Sequence, residues 1–519
     1  MSRKPLIYEL SEGSATKALE ALVPAGLSLS QQAAIDLSRC YLDSFDWRLF
    51  RAGLVLELQE EPTGRRLVLR ELGRGAVLGA QGVDRAPGFA WDLPGGAVGA
   101  RIRGPLDVRA LLPLATMPET LQRFALLDAE GKTRLRFEVQ RPRGTQGPVR
   151  VQVLPVRGYD GALKSVLRTL AHRPDLSAAR EDPLFSAAAL AGRVPGDYTG
   201  KPSVSVDADE RADATGKAIL LDLWEIAERN EDGVRLDLDS EFLHDYRVSV
   251  RRSRSFLSQV KGVFPEAQLN RFKRELAWLQ EITGPSRDMD VYLLAFDGFK
   301  AELPEDSRGD LDPFRGFLQR RKAREHEAMA RAMASARYAQ LKRAWREFLA
   351  APVPACCALP NAERPVGEVA AQRIRRVHSR ALKEGRAIRA TSPPEDLHEL
   401  RKTCKKLRYL MEFFRSAFDA DAVGGLIKDL KRLQDNLGTY QDLHVQELSL
   451  SGFIAAMQAE DELAPATRAA MERLVGIIRD RQGQVREAFA ERFKAFDSDE
   501  VRAHFAAVFP QPAARNRHS

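Results

Sequence analysis

His244, Arg247, Arg251 and Arg254 stand three, four and three residues apart in HDYRVSVRRSR, and His398, Arg401, Lys405 and Arg408 repeat the spacing in HELRKTCKKLR. On an α-helix this spacing predicts one cationic stripe along one face. Arginine presents a planar fork of N–H donors and lysine a mobile point charge, so the chemistry on offer is recognition of an anion rich in oxygen. Each histidine extends its stripe by one turn, where it could donate a hydrogen bond or take up a proton beside a polyanion. A merely solvated face mixes signs to gain i,i+4 ion pairs, whereas these stripes hold a single acid, Glu412, with Ser258 at the equivalent place. Repulsion between neighbouring cations costs each helix about a few tenths of a kcal/mol per pair, and a bound polyanion would relieve it.

The stripes belong to a longer duplication. Shifted by 154 positions, His244 to Val291 falls on His398 to Val445 without a gap, pairing Lys261 with Arg415, Phe264 with Phe418, Arg274 with Lys428, Gly284 with Gly438 and Asp288 with Asp442. Beside the stripe, Tyr246, Val250, Ser253, Leu257, Val260 and Phe264 keep a helical period, and their counterparts Leu400, Cys404, Leu407, Met411, Phe414 and Phe418 are apolar, so this face is the expected core. So long a repeat implies two related subdomains of several helices each. Further candidates for the basic surface are Arg320, Arg324 and Arg331, and Arg373, Arg376, Arg380 and Lys383, again at helical spacings. HELRK is no zinc motif, since its fifth residue is Lys402. Asp288 and Asp442, each soon after a glycine, are expected as N-caps of a following helix.

The elements that must carry these residues follow from composition. At 519 residues the chain needs more than one core. Residues 1–175 alternate apolar and polar in short runs such as GLVLELQE and VRVQVLP, which predicts strands; 176–207 mixes polarity with Pro and Gly and reads as a connector; 208–510 turns to a 3.6-residue period, with halves of about 208–350 and 362–510. The expected fold is therefore multidomain α+β, a β-rich domain followed by an all-α one. The formal charge is +8, but residues 201–519 hold 53 basic and 50 acidic side chains, so an anion site must come from patterning rather than net charge. No uninterrupted apolar run approaches membrane-spanning length and the first residues lack a signal-peptide pattern, which points to a cytoplasmic protein without membrane partners. Four scattered cysteines suggest apolar fillers rather than disulfides or a zinc site.

The two His-x-x-Arg-x-x-x-(Arg/Lys)-x-x-Arg helices, each followed by LQEITGPSRDMDV or LQDNLGTYQDLHV, resemble the CHAD family over roughly 208–510. That resemblance implies two pseudo-symmetric helical halves around a basic pore or groove, binding of inorganic polyphosphate, and association with polyphosphate granules and their proteins. It nominates His244, Arg247, Arg251, Arg254, Lys261, Arg274, His398, Arg401, Lys405, Arg408, Arg415 and Lys428, together with the arginines at 320, 324, 373, 376 and 380. The second half departs from the family's Arg-Asp-Leu-Asp-Val, with Gln441 and His444 where the first half has Arg287 and Asp290. CYLDSFDWRLFRAGLVLEL at 40–58 is similar to CYTH domains, the triphosphate-tunnel fold, through Tyr41, Asp43, Asp46, Leu49 and Gly53. Residues that such a tunnel needs for metal and triphosphate are replaced: Glu9 lacks a spaced acidic partner, Glu57 and Gln59 stand in place of arginines, and Val149, Val151 and Val153 in place of acids. The expectation is a polyphosphate-binding protein with a non-catalytic first domain, no cofactor and no metal. The alternatives are an active triphosphatase or nucleotidyl cyclase, and a nucleic-acid-binding protein, the latter disfavoured by scarce aromatics along the stripes.

Overall fold

The computed structural model describes residues 6–11, 14–93, 95–144 and 147–510; the ends of the predicted 1–175 domain's first strand segment, at 1–5 and 12–13, lie outside them. The chain divides into two compact units, 1–199 and 200–519.

The first unit is a ten-stranded antiparallel sheet among the described residues. Its strands are β1 (Ile7–Leu10), β2 (Ser28–Gln31), β3 (Ile35–Asp43), β4 (Leu54–Glu61), β5 (Gly64–Glu71), β6 (Val77–Val83), β7 (Leu112–Leu127), β8 (Thr133–Pro142), β9 (Val149–Pro155) and β10 (Leu176–Ala178). They run in the order β10-β1-β9-β8-β7-β3-β4-β5-β6, with β2 added on β7. Helices α1 (Ala15–Glu20), α2 (Arg48–Arg51), α3 (Ala97–Leu106), α4 (Asp160–Leu170) and α5 (Pro183–Leu190) accompany it. The sheet curls until the β5–β6 turn meets its other end: Leu6 N donates to Arg74 O at 2.9 Å and Gln152 Nε2 to Gly75 O at 2.9 Å. Glycine is required at 75, because φ is +74° and a Cβ would lie 2.4 Å from Ile7 Cγ1.

Alternation along the strands sends apolar side chains to the helix-covered face and polar ones inward. Val151 and Val153 join Phe124, Phe137 and Val166 in the apolar layer. Arg150 and Gln152 are the buried polar residues of the same strand. The valines named from the sequence as replacing tunnel acids are thus on the other face, and the inward positions of β9 are Arg150 and Gln152. Residues 176–199, expected within a connector, are folded into this unit: β10 pairs with β1, and Leu184, Ala187 and Ala188 of α5 pack on Tyr41, Trp47 and Met117.

The second unit is helical: α6 (Ala212–Arg235), α7 (Ser240–Gln259), α8 (Glu266–Glu302), α9 (Asp312–Met333), α10 (Ala336–Ala350), α11 (Val366–Ala387), α12 (Pro394–Phe413), α13 (Ala420–Ala459), α14 (Pro465–Glu487), α15 (Phe489–Phe496) and α16 (Asp499–Val508). The duplication is visible in the starts: 212, 240 and 266 recur at 366, 394 and 420. Asp239 and Asp419 cap α7 and α13, accepting from backbone N–H groups of the first turn. The halves share one core, in which Met289, Tyr292 and Phe296 of α8 meet Leu443, Leu450 and Phe453 of α13.

Candidate functional site

The core face read from the sequence is buried: Tyr246, Val250, Ser253 and Leu257 on α7, and Leu400, Cys404, Leu407 and Met411 on α12. Burying that face turns the adjacent cationic stripe to the edge of the helix, half-exposed. Where α7 and α12 meet, Phe256 packs on Phe413 and Phe414. Arg252 Nη2 donates to Glu412 Oε2 at 3.1 Å, and Arg408 Nε lies 3.4 Å from Glu412 Oε1. The lone acid of the stripes is therefore a clamp between the halves.

This packing merges the two stripes. Burial, the partner helix's Arg251 and its own helix's Arg408 all disfavour the charge on Arg401, against the attraction of Asp442. Burial first, then Arg401 and Arg251, push Lys405 down to about 8. Arg251 also bears on Arg247, which burial and the neighbouring Arg251 and Arg287 lower to about 10, still charged at neutral pH. One field of cations thus runs from Arg287 and Arg247 through Arg251 to Arg401, Lys405 and Arg408. Among the described residues Arg251, Arg254 and Lys405 have no carboxylate partner at ion-pair distance, and Arg251 Nε and Arg401 Nε are buried without a hydrogen-bond acceptor. Such a cluster favours an anion with several oxygens that can accept from more than one guanidinium.

Each half orients its stripe through the following long helix. In the first, Arg247 Nη1 donates to Gln280 O at 2.8 Å and Thr283 Oγ1 at 2.6 Å, while Arg287 donates to Ser240 O at 2.9 Å. Arg287 Nη2 also lies 3.1 Å from His244 Nδ1, and since a guanidinium only donates, that nitrogen accepts. In the second, His398 Nδ1 lies 2.8 Å from Gln441 Oε1 and Arg401 Nη2 donates to Asp442 Oδ1 at 3.1 Å. Only the histidine pairs occupy equivalent positions, His244 with residue 287 and His398 with residue 441, and there the direction reverses, since the Gln441 amide oxygen accepts; Arg247 and Arg401 reach different places on α8 and α13. Asp288 and Asp442 are not the N-caps expected from their preceding glycines, because α8 and α13 run unbroken through them. Tertiary packing overrides the local breaker signal, and at Gly284 a Cβ would meet the Arg247 guanidinium only in ordinary contact, at 3.7 Å.

The other nominated residues are dispersed. Arg373 Nη2 donates to Gln259 Oε1 at 2.8 Å, which brings it to the end of α7. Arg376 is exposed on α11, and Arg380 is engaged by Glu384. Arg320 and Arg324 do not join the cluster: they sit on α9 and face Glu462 and Glu460 after α13, because helical spacing alone does not say which face of the bundle a stripe reaches. Lys261, Arg274, Arg415 and Lys428 are exposed, and Arg415 Nε donates to Ala420 O at the start of α13. Sequence reasoning passed over Arg252 and Arg287 as site residues; the 43-residue separation shared by His244–Arg287 and His398–Gln441 was the available signal.

The first unit's buried polar face is self-neutralised. Arg39 pairs with Glu57 and Glu119, Arg70 with Glu57 at 2.5 Å and with both oxygens of Asp182, and Arg66 and Arg123 with Glu138. Gln59 Nε2 donates to Glu57 Oε2 at 2.8 Å. Burial alone would raise the Glu57 carboxyl, but Arg39 and Arg70 hold it at about 2.

The fold and the site define a duplicated helical module with a basic face shared by its halves, joined to an antiparallel β unit. Residues 218–451 match the family model of the CHAD domain, so the resemblance read from the sequence holds over that stretch. Among solved structures, the CHAD domain from the plant Ricinus communis is 24% identical, with 60% of this chain and 98% of that chain covered and a TM-score of 0.47. PptA from Streptomyces chartreusis is 20% identical, with 55% and 99% covered and a TM-score of 0.40. No curated protein matches the chain. No helix among the described residues is long and apolar enough to cross a membrane.

Proposed function

We propose that the second unit binds inorganic polyphosphate along the face shared by α7 and α12, and that this binding recruits the protein to polyphosphate granules. The observation that carries the reading is the convergence of Arg251 with Arg401 and Lys405, which turns two stripes into one surface with more cations than carboxylates. Polyphosphate offers a negative charge on every unit and no bases, which suits guanidinium forks better than stacking platforms. The first unit is proposed to be a non-catalytic module: its inward arginines are already answered by Glu57, Glu119, Glu138 and Asp182, leaving them committed to protein carboxylates rather than to a triphosphate. Retention on immobilised polyphosphate, released by free polyphosphate but poorly by duplex DNA at equal phosphate concentration, is the expected result. Equal release by DNA would favour a general phosphodiester binder. Magnesium-dependent hydrolysis of tripolyphosphate, lost on mutating Glu9, would overturn the non-catalytic assignment.

A further inference from the structure

The two halves differ at one telling position. Arg251 in α7 corresponds to Lys405 in α12, so the shared face contains one lysine among arginines. Guanidinium groups, even Arg247 lowered to about 10, keep their charge at neutral and mildly alkaline pH, whereas a lysine held among like charges can lose its proton there. Lys405 is half-buried and forms no ion pair among the described residues. Around it stand Arg401 and Arg408 of its own helix, Arg251 of α7 and Asp442 of α13, with three cations outweighing one carboxylate that Arg401 already engages. From α11, Arg380 and Glu384 bear on the next residue, Lys406, about 100° around the helix. His398, two turns earlier, is engaged with Gln441.

We propose that anion binding on this face is proton-linked through Lys405: the Nζ amine takes up a proton from the buffer acid as the polyanion binds, so that affinity falls as pH rises from neutral into the alkaline range. This rests on the polyphosphate reading above. The sign follows from the surroundings. Without ligand, burial and the adjacent arginines bring Lys405 down to about 8, so above that pH the free site is largely uncharged at Nζ. A polyanion laid across the cluster offsets the arginines and raises the amine again. Uptake is therefore expected wherever the pH lies between the free and bound values, and affinity declines as pH climbs through that window. A lysine here thus gives the second half a pH response that an arginine, as in the first half, would lack.

The test is calorimetry of the full chain with long-chain polyphosphate, at and above pH 8, in buffers of different ionisation enthalpy. Wild-type protein should show a buffer-dependent enthalpy that reports net proton uptake, and its affinity should weaken as pH rises. Lys405→Arg, the residue the first half already places at this position, should remove most of that uptake and bind more tightly than wild type at alkaline pH. The difference between the two proteins cancels any contribution from His244 and His398. Binding without buffer dependence, or uptake equal in Lys405→Arg, overturns the linkage while leaving the polyphosphate reading in place. A wild-type affinity that is flat across the alkaline range does the same without recourse to a variant. Absence of any polyphosphate binding overturns both.

Discussion

Single side chains on the α7–α12 face act in a shared field, so their individual losses are expected to be modest and their joint reversal severe. Arg251→Ala should weaken polyphosphate binding only several-fold, whereas Arg251→Glu with Lys405→Glu sets acids against the ligand and should nearly abolish it. The salt dependence of binding should become shallower as contacts disappear, by the ion-release logic that governs nucleic acids. A doubly reversed protein with native circular dichroism and unchanged affinity and salt slope would reduce the stripes to a solvated surface. Glu57 in the first unit behaves differently, because it is buried and shared by Arg39 and Arg70. Glu57→Gln leaves two guanidinium groups undercompensated and should cost about 3–5 kcal/mol, read as lost amide protection in β3–β5 peptides by hydrogen exchange. Since the folded value is depressed to about 2, Glu57 contributes stability that is present above its unfolded value near 4.5 and lost as pH falls toward 2. The same peptides should therefore lose protection over that acid window.

At the scale of elements, α7 and α12 share one surface through their own contact at Phe256, Phe413 and Phe414, and the halves are joined again where side chains of α8, α9 and α13 form one apolar cluster. Phe453 of α13 is 6% exposed and makes ring contacts with Tyr292 of α8 and with Phe314 and Phe317 of α9. Phe453→Ala should cost about 3–5 kcal/mol through lost burial and the cavity left behind, measured by chemical denaturation of the helical unit. If the protein remained folded and bound polyphosphate as wild type with no loss of stability, the aromatic cluster would not be what holds the halves in register. Glu412 supplies a lesser clamp through Arg252 and Arg408, partly exposed and correspondingly weaker.

For the whole molecule, the division into two units makes the helical part separable in principle. Residues 205–510 expressed alone should give a mostly helical spectrum and retain polyphosphate binding. A folded fragment that no longer bound would move the determinant to the first unit.

The repeated pattern of charge and apolar period alone determined that this chain has a duplicated helical part with a core face and an adjacent cationic stripe, since a helix converts residue spacing directly into direction. It also determined the β-rich first part, through strand alternation. Only the tertiary structure decided which stripes meet. Arg251, Arg401 and Lys405 converge because the α7 and α12 cores pack together, while Arg320 and Arg324, at equally regular spacing, are carried on α9 to acids beyond α13. The same holds for Asp288 and Asp442, whose preceding glycines look like helix breaks but lie within the continuous helices α8 and α13. On β9, alternation says that Arg150 and Val151 face opposite ways; which of them faces inward depends on how the sheet curls and where its helices lie. Local periodicity fixes a side chain's direction relative to its own element, and long-range packing alone sets what lies in that direction.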